Sequence, residues 1–497
     1  MVNSYNVSSL GANAAVSFLG GAQLDGAGGS VAGGSDVNGD GFNDIVIGAR
    51  SVGDNAGAVY VVFGSANGFT DIADLSALGA GGLTLTASAN DGLGFAVALP
   101  GDVNNDGIDD ILVSTGGTGG GIGNGEAYLI FGGNNLPTTL DIGSLGGNGL
   151  TMTGLPGNSA TAVSGAGDFD NDGVADFLVA GQYNSATFVV YGDGALGADI
   201  DLTAGPSFNG LQGKGLAGGG DINGDGIDDI LVGHNYGSPV IFGTGTRFGN
   251  GTDIVPIGTN GYRLTTPDSG QYLGDSVAFL GDVNGDGAED FAVFAGRGDT
   301  PRGPDNGGAF IMYGGASVSG DVPIASIGNA GFIIHDAFLG NIASAGDFNG
   351  DGIDDILFAY DNGNQVYVIF GRNGGFGGDI DLRDLADDEA VLFIGPLGQT
   401  QAGVPSDVFG SSMAPLGDVN GDGFDDILVG APGSPSNPGG GAYIIFGFSN
   451  APQTLAGGGD ADTLTGGGGN DTISGGGGHD LLIAGGGDDQ ITGDDGD

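Results

Sequence analysis

The chain has 497 residues, 115 of them glycine and none cysteine, and 61 acidic side chains against eight basic ones give a net charge of −53. Without cysteine there are no disulfides or thiolate metal sites, and without a basic patch nucleic acid and anionic membranes have no counterion-releasing partner. Hydrophobic residues, 39% of the total, fall in short strand-like runs, so the glycines read as turn and bulge residues of an all-β fold.

An acidic excess of this size repels itself on compaction, and divalent cations are the natural counter-charge. The first residues, MVNSYNVSSLGANAAVSFLGG, show no basic region followed by a long apolar stretch, so no secretory leader is expected. No apolar run reaches the ~18–20 residues of a membrane span.

A nine-residue pattern then occurs seven times: DVNGDGFND from Asp36, DVNNDGIDD from Asp102, DFDNDGVAD from Asp168, DINGDGIDD from Asp221, DVNGDGAED from Asp282, DFNGDGIDD from Asp347 and DVNGDGFDD from Asp418. Successive starts are 66, 66, 53, 61, 65 and 71 residues apart. A small-residue stretch such as LGFAVALPG precedes each loop, and an apolar run such as IVIGA or ILVST follows it. A second run ends in an aromatic and glycine (AVYVVFG, EAYLIFG), and most repeats add a segment such as GGLTLTAS. This reads as four strands per repeat, with fragments such as DIADLSALG able to form one helical turn. Seven such units predict a radial β-propeller; an open β-solenoid is the alternative. The seventh repeat ends at Phe446-Gly447 after its third strand, so AAVSFLGG near the N-terminus is predicted to complete that blade and close the ring.

Each loop has the donors a hard cation needs: side chains at positions 1, 3 and 5, a glycine turn at 6, a carbonyl at 7 and a carboxylate at 9. In the first three loops the candidate ligands are Asp36, Asn38, Asp40, Phe42 (carbonyl) and Asp44; Asp102, Asn104, Asp106, Ile108 and Asp110; and Asp168, Asp170, Asp172, Val174 and Asp176. In the fourth and fifth they are Asp221, Asn223, Asp225, Ile227 and Asp229, then Asp282, Asn284, Asp286, Ala288 and Asp290. The last two supply Asp347, Asn349, Asp351, Ile353 and Asp355, then Asp418, Asn420, Asp422, Phe424 and Asp426. No glutamate stands at position 12, so these are strand-loop-strand sites rather than EF-hands, and the ion expected is Ca2+. The bland alternative is seven Asx hairpin turns. However, the loops hold 27 of the 61 acidic residues, a clustering that costs dearly without a cation.

These repeats resemble the FG-GAP repeats of the integrin alpha-chain N-terminal propeller and its bacterial relatives, over about residues 11 to 447. The match lies in the VFG runs, Gly430-Ala431-Pro432 and the Asp-rich loops. The resemblance implies seven blades, calcium on one face and recognition loops on the other. Only the seventh repeat carries GAP, and the third and fourth blades are short, which puts the evenness of the ring in doubt.

From Gly457 a nine-residue period appears: GGGDADTLT, GGGGNDTIS, GGGGHDLLI, AGGGDDQIT. Aspartate recurs as Asp462, Asp471, Asp480 and Asp489, and an aliphatic as Leu464, Ile473, Leu482 and Ile491. The pattern resembles the RTX nonapeptide of parallel β-rolls, which implies calcium at the turn aspartates and aliphatics stacked inside. A flexible glycine linker is the alternative. The domain boundaries expected are 1–453 for the propeller and 454–497 for a β-roll that reads as cut short in mid-repeat. RTX relatives imply export without a leader through a type I exporter.

Enzyme motifs are thin. His234, His335 and His479 stand apart, and no H-E-x-x-H or G-x-S-x-G occurs. The expected function is therefore a non-enzymatic, secreted or surface calcium-binding protein that adheres to an extracellular protein or glycan. A calcium-dependent extracellular hydrolase or lyase, or a structural spacer, is the alternative. The tripeptide Arg297-Gly298-Asp299 is a possible adhesion signal, or a chance product of abundant Gly and Asp.

Overall fold

The run behind each Asp-rich loop is apolar at successive positions because both of its faces are covered. In Asp44–Ala49 the side chains of Ile45 and Ile47 join one apolar layer while Val46 joins another. The computed structural model shows what those layers are. It describes residues 2–10, 14–21, 26–116, 125–155, 160–181, 186–194, 196, 199–208, 211, 213, 215–234, 237–249, 260–266, 273–295, 307–315, 320–324, 327–335, 340–360, 364–386, 388–396, 409–433, 440–449, 454–467, 469, 471–483 and 489–493.

Seven antiparallel sheets form the blades of a propeller. The first strand of each blade lies innermost: Ala27–Ser35, Leu93–Gly101, Ala160–Gly167, Leu216–Gly220, Leu273–Gly281, Ile342–Gly346 and Ser412–Gly417. Each inner strand neighbours the next, and the seventh neighbours the first, so the ring is closed. Seven apolar layers lie between the blades, one per interface. The core is thus shared out between sheets rather than gathered in one place, and a blade alone would leave both faces wet.

Closure is as the sequence predicts. Ala15–Leu19 pairs antiparallel with Gly441–Ile445 as the outer strand of blade seven, with Ala15 opposite Ile445 and Leu19 opposite Gly441. The solenoid alternative falls with that pairing, because a solenoid leaves its ends apart.

Four strands per repeat is an undercount at five blades. A short rim strand adds a fifth, parallel to the outer strand: Thr139–Asp141 on blade one, Ile200–Asp201 on blade two, Gly320–Pro323 on blade four, Ile380–Asp381 on blade five and Asn3–Asn6 on blade six. Each precedes the outer strand of the following blade, Asn3–Asn6 standing ahead of Ala15–Leu19 of blade seven, and straps two blades together. At blade seven the strap is one bridge, Phe18 to Ile72. DIADLSALG does form short helical turns, at Leu75–Ala77 and Gly79–Gly81, but its main contribution is this strap. Blade three is the thin one, with an outer strand of Ser207–Phe208 alone.

Residues after 453 form two small parallel sheets, Thr454–Ala456 with Thr472–Ser474 and Gln490–Thr492, and Thr463–Thr465 with Leu481–Ile483. Thr454 lies opposite Thr472 and Thr463 opposite Leu481, so one coil spans two nonapeptides. Ile473 is fully buried, whereas Ile491 is 48% exposed.

Phe18 of the closing strand is fully buried edge-to-face on Phe69, ring centroids 5.9 Å apart. Phe18→Ala is expected to cost about 3–5 kcal/mol by leaving a cavity at the closure. Thermal denaturation reads this, and an unchanged melting temperature would show that the ring does not depend on the strand.

Candidate calcium sites

Each loop turns sharply because two of its residues adopt positive φ. At position 6 the glycine has φ of 85° to 94° in all seven copies, from Gly41 to Gly423. An added Cβ would meet nothing within 4 Å at Gly41 or Gly107, so backbone conformation and not space demands glycine there. Position 4 is also left-handed and holds only glycine or asparagine, as at Gly39, Asn105 and Asn171.

The turn aims carboxylates inward. Asp36 accepts the N–H of Asp40 at 3.1 Å and of Gly41 at 2.6 Å, and Asp40 accepts that of Phe42 at 3.0 Å. The other six loops repeat this pattern, for instance Asp221 with Gly226 at 2.7 Å and Asp418 with Gly423 at 2.9 Å. Position 9 is different in kind. Its aspartate is fully buried in every blade: Asp44, Asp110, Asp176, Asp229, Asp290, Asp355 and Asp426. One oxygen of Asp44 accepts the N–H of Val37 at 2.9 Å and the other that of Gly64 at 2.8 Å. Gly64 lies two residues past the third strand, Ala58–Val62, and its counterparts Gly132, Gly192, Gly243, Gly314, Gly371 and Gly447 bond their own buried aspartates at 2.8–3.0 Å. A Cβ on Gly64 would lie 2.2 Å from the carbonyl oxygen of Asn43. The aromatic-glycine signature is therefore the far anchor of the loop.

Burial pushes these carboxyls up against the pull of their N–H donors. Asp44, Asp110, Asp229, Asp290 and Asp426 rise to about 7, Asp176 to about 8, and Asp355 well above its ordinary range. Neighbouring loop carboxylates add to the rise. Such a cluster calls for a cation, and the donor set fits one. In the third loop Asp168, Asp170 and Asp176 bring oxygens within 4.8 Å of one another. Asn104 Oδ1 and Asp170 Oδ1, both at position 3, are buried without a hydrogen-bond partner.

Position 8 carries a role the sequence reading left unassigned. Asp228, Asp354 and Asp425 reach back one blade to accept the N–H of Asp168, Asp282 and Asp347 at 2.7, 2.7 and 2.9 Å. Asp109 does the same for Asp36. The first candidate ligand of one loop is thus held by the next blade. The signal was present in the recurrent Asp-Asp ending, but a neighbour 60 or more residues away is invisible to spacing.

In the tail, Asp480 accepts the N–H of Asp462 and Asp489 that of Asp471, both at 2.9 Å. The turn aspartates therefore stack coil on coil, and Asp480 Oδ2 is buried without a partner. Arg297, Gly298 and Asp299 lie outside the described residues.

The FG-GAP repeat family matches residues 27–62 and 409–445, and the RTX calcium-binding nonapeptide repeat matches 452–482 and 465–497. The chain carries FG-GAP repeats and RTX calcium-binding repeats. Both mark it as a calcium-binding protein. Integrin alpha pat-2 of Caenorhabditis briggsae is 30% identical over 183 residues, 34% of this chain and 13% of that protein. Integrin alpha-V of Gallus gallus is 29% identical over 226 residues, 43% and 19% of the two chains. Integrin alpha-IIb of Homo sapiens is 35% identical over 121 residues, 22% and 10%. The matches thus cover less than a fifth of each of these integrins. Among solved structures, the WD40 domain of Toxoplasma gondii coronin aligns over 88% of this chain and 85% of its own, at 10% identity and a TM-score of 0.48.

Three outcomes are expected. Chelation by EGTA should lower the melting temperature strongly, since an ion at a hundredfold excess over its Kd contributes about 2.7 kcal/mol per site. Without calcium the buried aspartates bind protons in the folded state that the unfolded chain has already lost. Stability should therefore fall as pH rises from the ordinary value of 3.8 through about 7. Melts of protein stripped of calcium and exchanged into calcium-free buffer at about pH 5 and pH 8 check the sign, the lower pH giving the higher midpoint. Asp354→Ala should cost about 1–3 kcal/mol by orphaning the N–H of Asp282, read by chemical denaturation.

Proposed function

We propose that this is an extracellular calcium-binding protein whose propeller binds a protein or glycan ligand for adhesion, with calcium as its structural staple. The observation that carries the reading is the sevenfold recurrence of one loop geometry on one face of a closed ring, with an open mouth on the other. The inner strands end at the Asp-rich loops, so their beginnings mark the opposite face. There, residues from all seven inner-strand beginnings, among them Ala96, Gly215, Asp275, Asn341 and Ser412, line a cavity of about 380 Å³. Among its described lining residues only Asp275 is titratable. His335 sits far out on blade five with Nε2 3.1 Å from Asp379 Oδ2. A mouth lined by neutral side chains apart from Asp275 suits recognition by loops at its rim better than acid-base chemistry within it.

In this reading seven ions sit in the propeller, each held by positions 1, 3, 5 and 9 and the carbonyl at 7. A few more sit in the β-roll at Asp462, Asp471, Asp480 and Asp489. Residues 1–453 form the propeller unit and 454–497 the β-roll, and export proceeds through a type I route. The comparison with integrin alpha chains supports ligand binding by the propeller, and the RTX repeats support an extracellular site where calcium is plentiful. No described helix is long and apolar enough to cross a membrane.

The test is capture of the calcium-loaded protein on panels of matrix proteins, glycans and cells, repeated in EGTA. Calcium-dependent capture of a defined ligand is expected, and Asp299→Ala then asks whether the tripeptide takes part. Silence across the panels with the fold intact would overturn the adhesive reading.

A further inference from the structure

The third loop departs from the other six. Where they carry an asparagine at position 3, it carries Asp170, and so offers four carboxylates instead of three carboxylates and an amide. In five of the six asparagine loops the amide NH2 donates to a carboxylate of its own loop, as from Asn38 to Asp40 at 3.1 Å and from Asn104 to Asp110 at 3.2 Å. Asp170 has no proton to donate in that way.

An arginine from the next blade stands in. Arg247 follows the third strand of blade four, yet its Nε donates to Asp170 Oδ2, and its Nη2 to Asp172 Oδ2 and, at 2.7 Å, to the Gly192 carbonyl. Its guanidinium lies over the Tyr191 ring, 5.3 Å from the centroid, and the Phe248 N–H donates to the Tyr191 hydroxyl at 3.0 Å. The fork takes the outer oxygens and leaves Asp170 Oδ1 buried and unpartnered. The interface it crosses is also the thinnest of the seven. Eight buried apolar side chains form its layer among the described residues, against fourteen or more at every other.

We propose that Arg247 is a charge-balancing clamp on the third calcium site, acting from the second coordination sphere. It replaces the missing amide as donor, brings the net charge of the side chains at positions 1, 3, 5 and 9 back to the −3 of the other six loops, and locks blade four onto blade three where apolar packing is thinnest. This rests on calcium filling the propeller loops. It assigns a role to a residue from outside the nine-residue pattern and makes one site of the seven chemically distinct.

The logic is a charge cycle. With position 3 and the clamp included, the wild-type loop carries −3, Arg247→Met leaves −4, Asp170→Asn leaves −2, and the double variant returns to −3 with the amide restored. A unit charge about 5 Å from a divalent ion in a water-like medium changes its affinity about tenfold. Calcium titration of the full chain, followed by native mass spectrometry and calorimetry, should show one propeller site tightening about tenfold in R247M and weakening about tenfold in D170N. In the double variant that site should return towards wild type, with the other sites as internal controls. In EGTA, R247M should melt lower than wild type, because the clamp between the blades is gone.

Shifts of the same sign in both single variants, or none in either, would overturn the inference. If R247M does not fold at all, the double variant decides: recovery supports the clamp and failure overturns it. Calcium uptake by wild type without any shift in the variants sinks this inference alone. No uptake by wild type sinks the calcium reading and this inference with it.

Discussion

Seven buried carboxylates govern this structure. Each ninth-position aspartate is removed from water and held by two backbone N–H groups, one from its own loop and one from the glycine just past the third strand. The bond pair locks the loop between the first and second strands to the end of the third. Hydrogen bonds alone leave the acid raised towards neutrality, so a nearby cation is the remaining means of keeping it ionised. A calcium ion bound in the loop would act directly on the group that ties three strands together.

The same economy recurs between blades. Because the apolar layers are shared by neighbouring sheets, every blade depends on two others. Polar links follow that dependence. Position-eight aspartates hold the first aspartate of the preceding loop, and rim strands lie along the outer strand of the preceding blade. Between blades three and four, where blade three carries no rim strand and the apolar layer is thinnest among the described residues, a guanidinium takes up the connection.

Much of this was legible in the chain itself. The seven loops with Asp at positions 1, 5 and 9, Asn or Asp at 3 and Gly at 6, the aromatic-glycine run behind each and the lone strand at Ala15–Leu19 were enough to count blades and to predict how the ring closes. Two groups of residues escaped. The rim strands of two to four residues carry too little periodicity to register as strands, although Asp-Ile and Asp-Leu pairs mark most of them, as at Asp141-Ile142 and Asp201-Leu202. Position eight was hidden for another reason. Its partner lies in another repeat, and a repeat read by itself gives its carboxylate nothing to bind.

The sequence by itself determined whatever is local or repeated: all-β character, the number of blades, the loop donors and the nonapeptide period of the tail. These follow from spacing, turn chemistry and the alternation of buried side chains, which act within a few residues of their origin. Tertiary structure decided what depends on a neighbour: the burial of the ninth aspartate on a distant glycine, the strapping of blade to blade, and the meeting of Arg247 with Asp170 across 77 residues. Those interactions exist only once the ring has brought separate repeats within a hydrogen bond of each other.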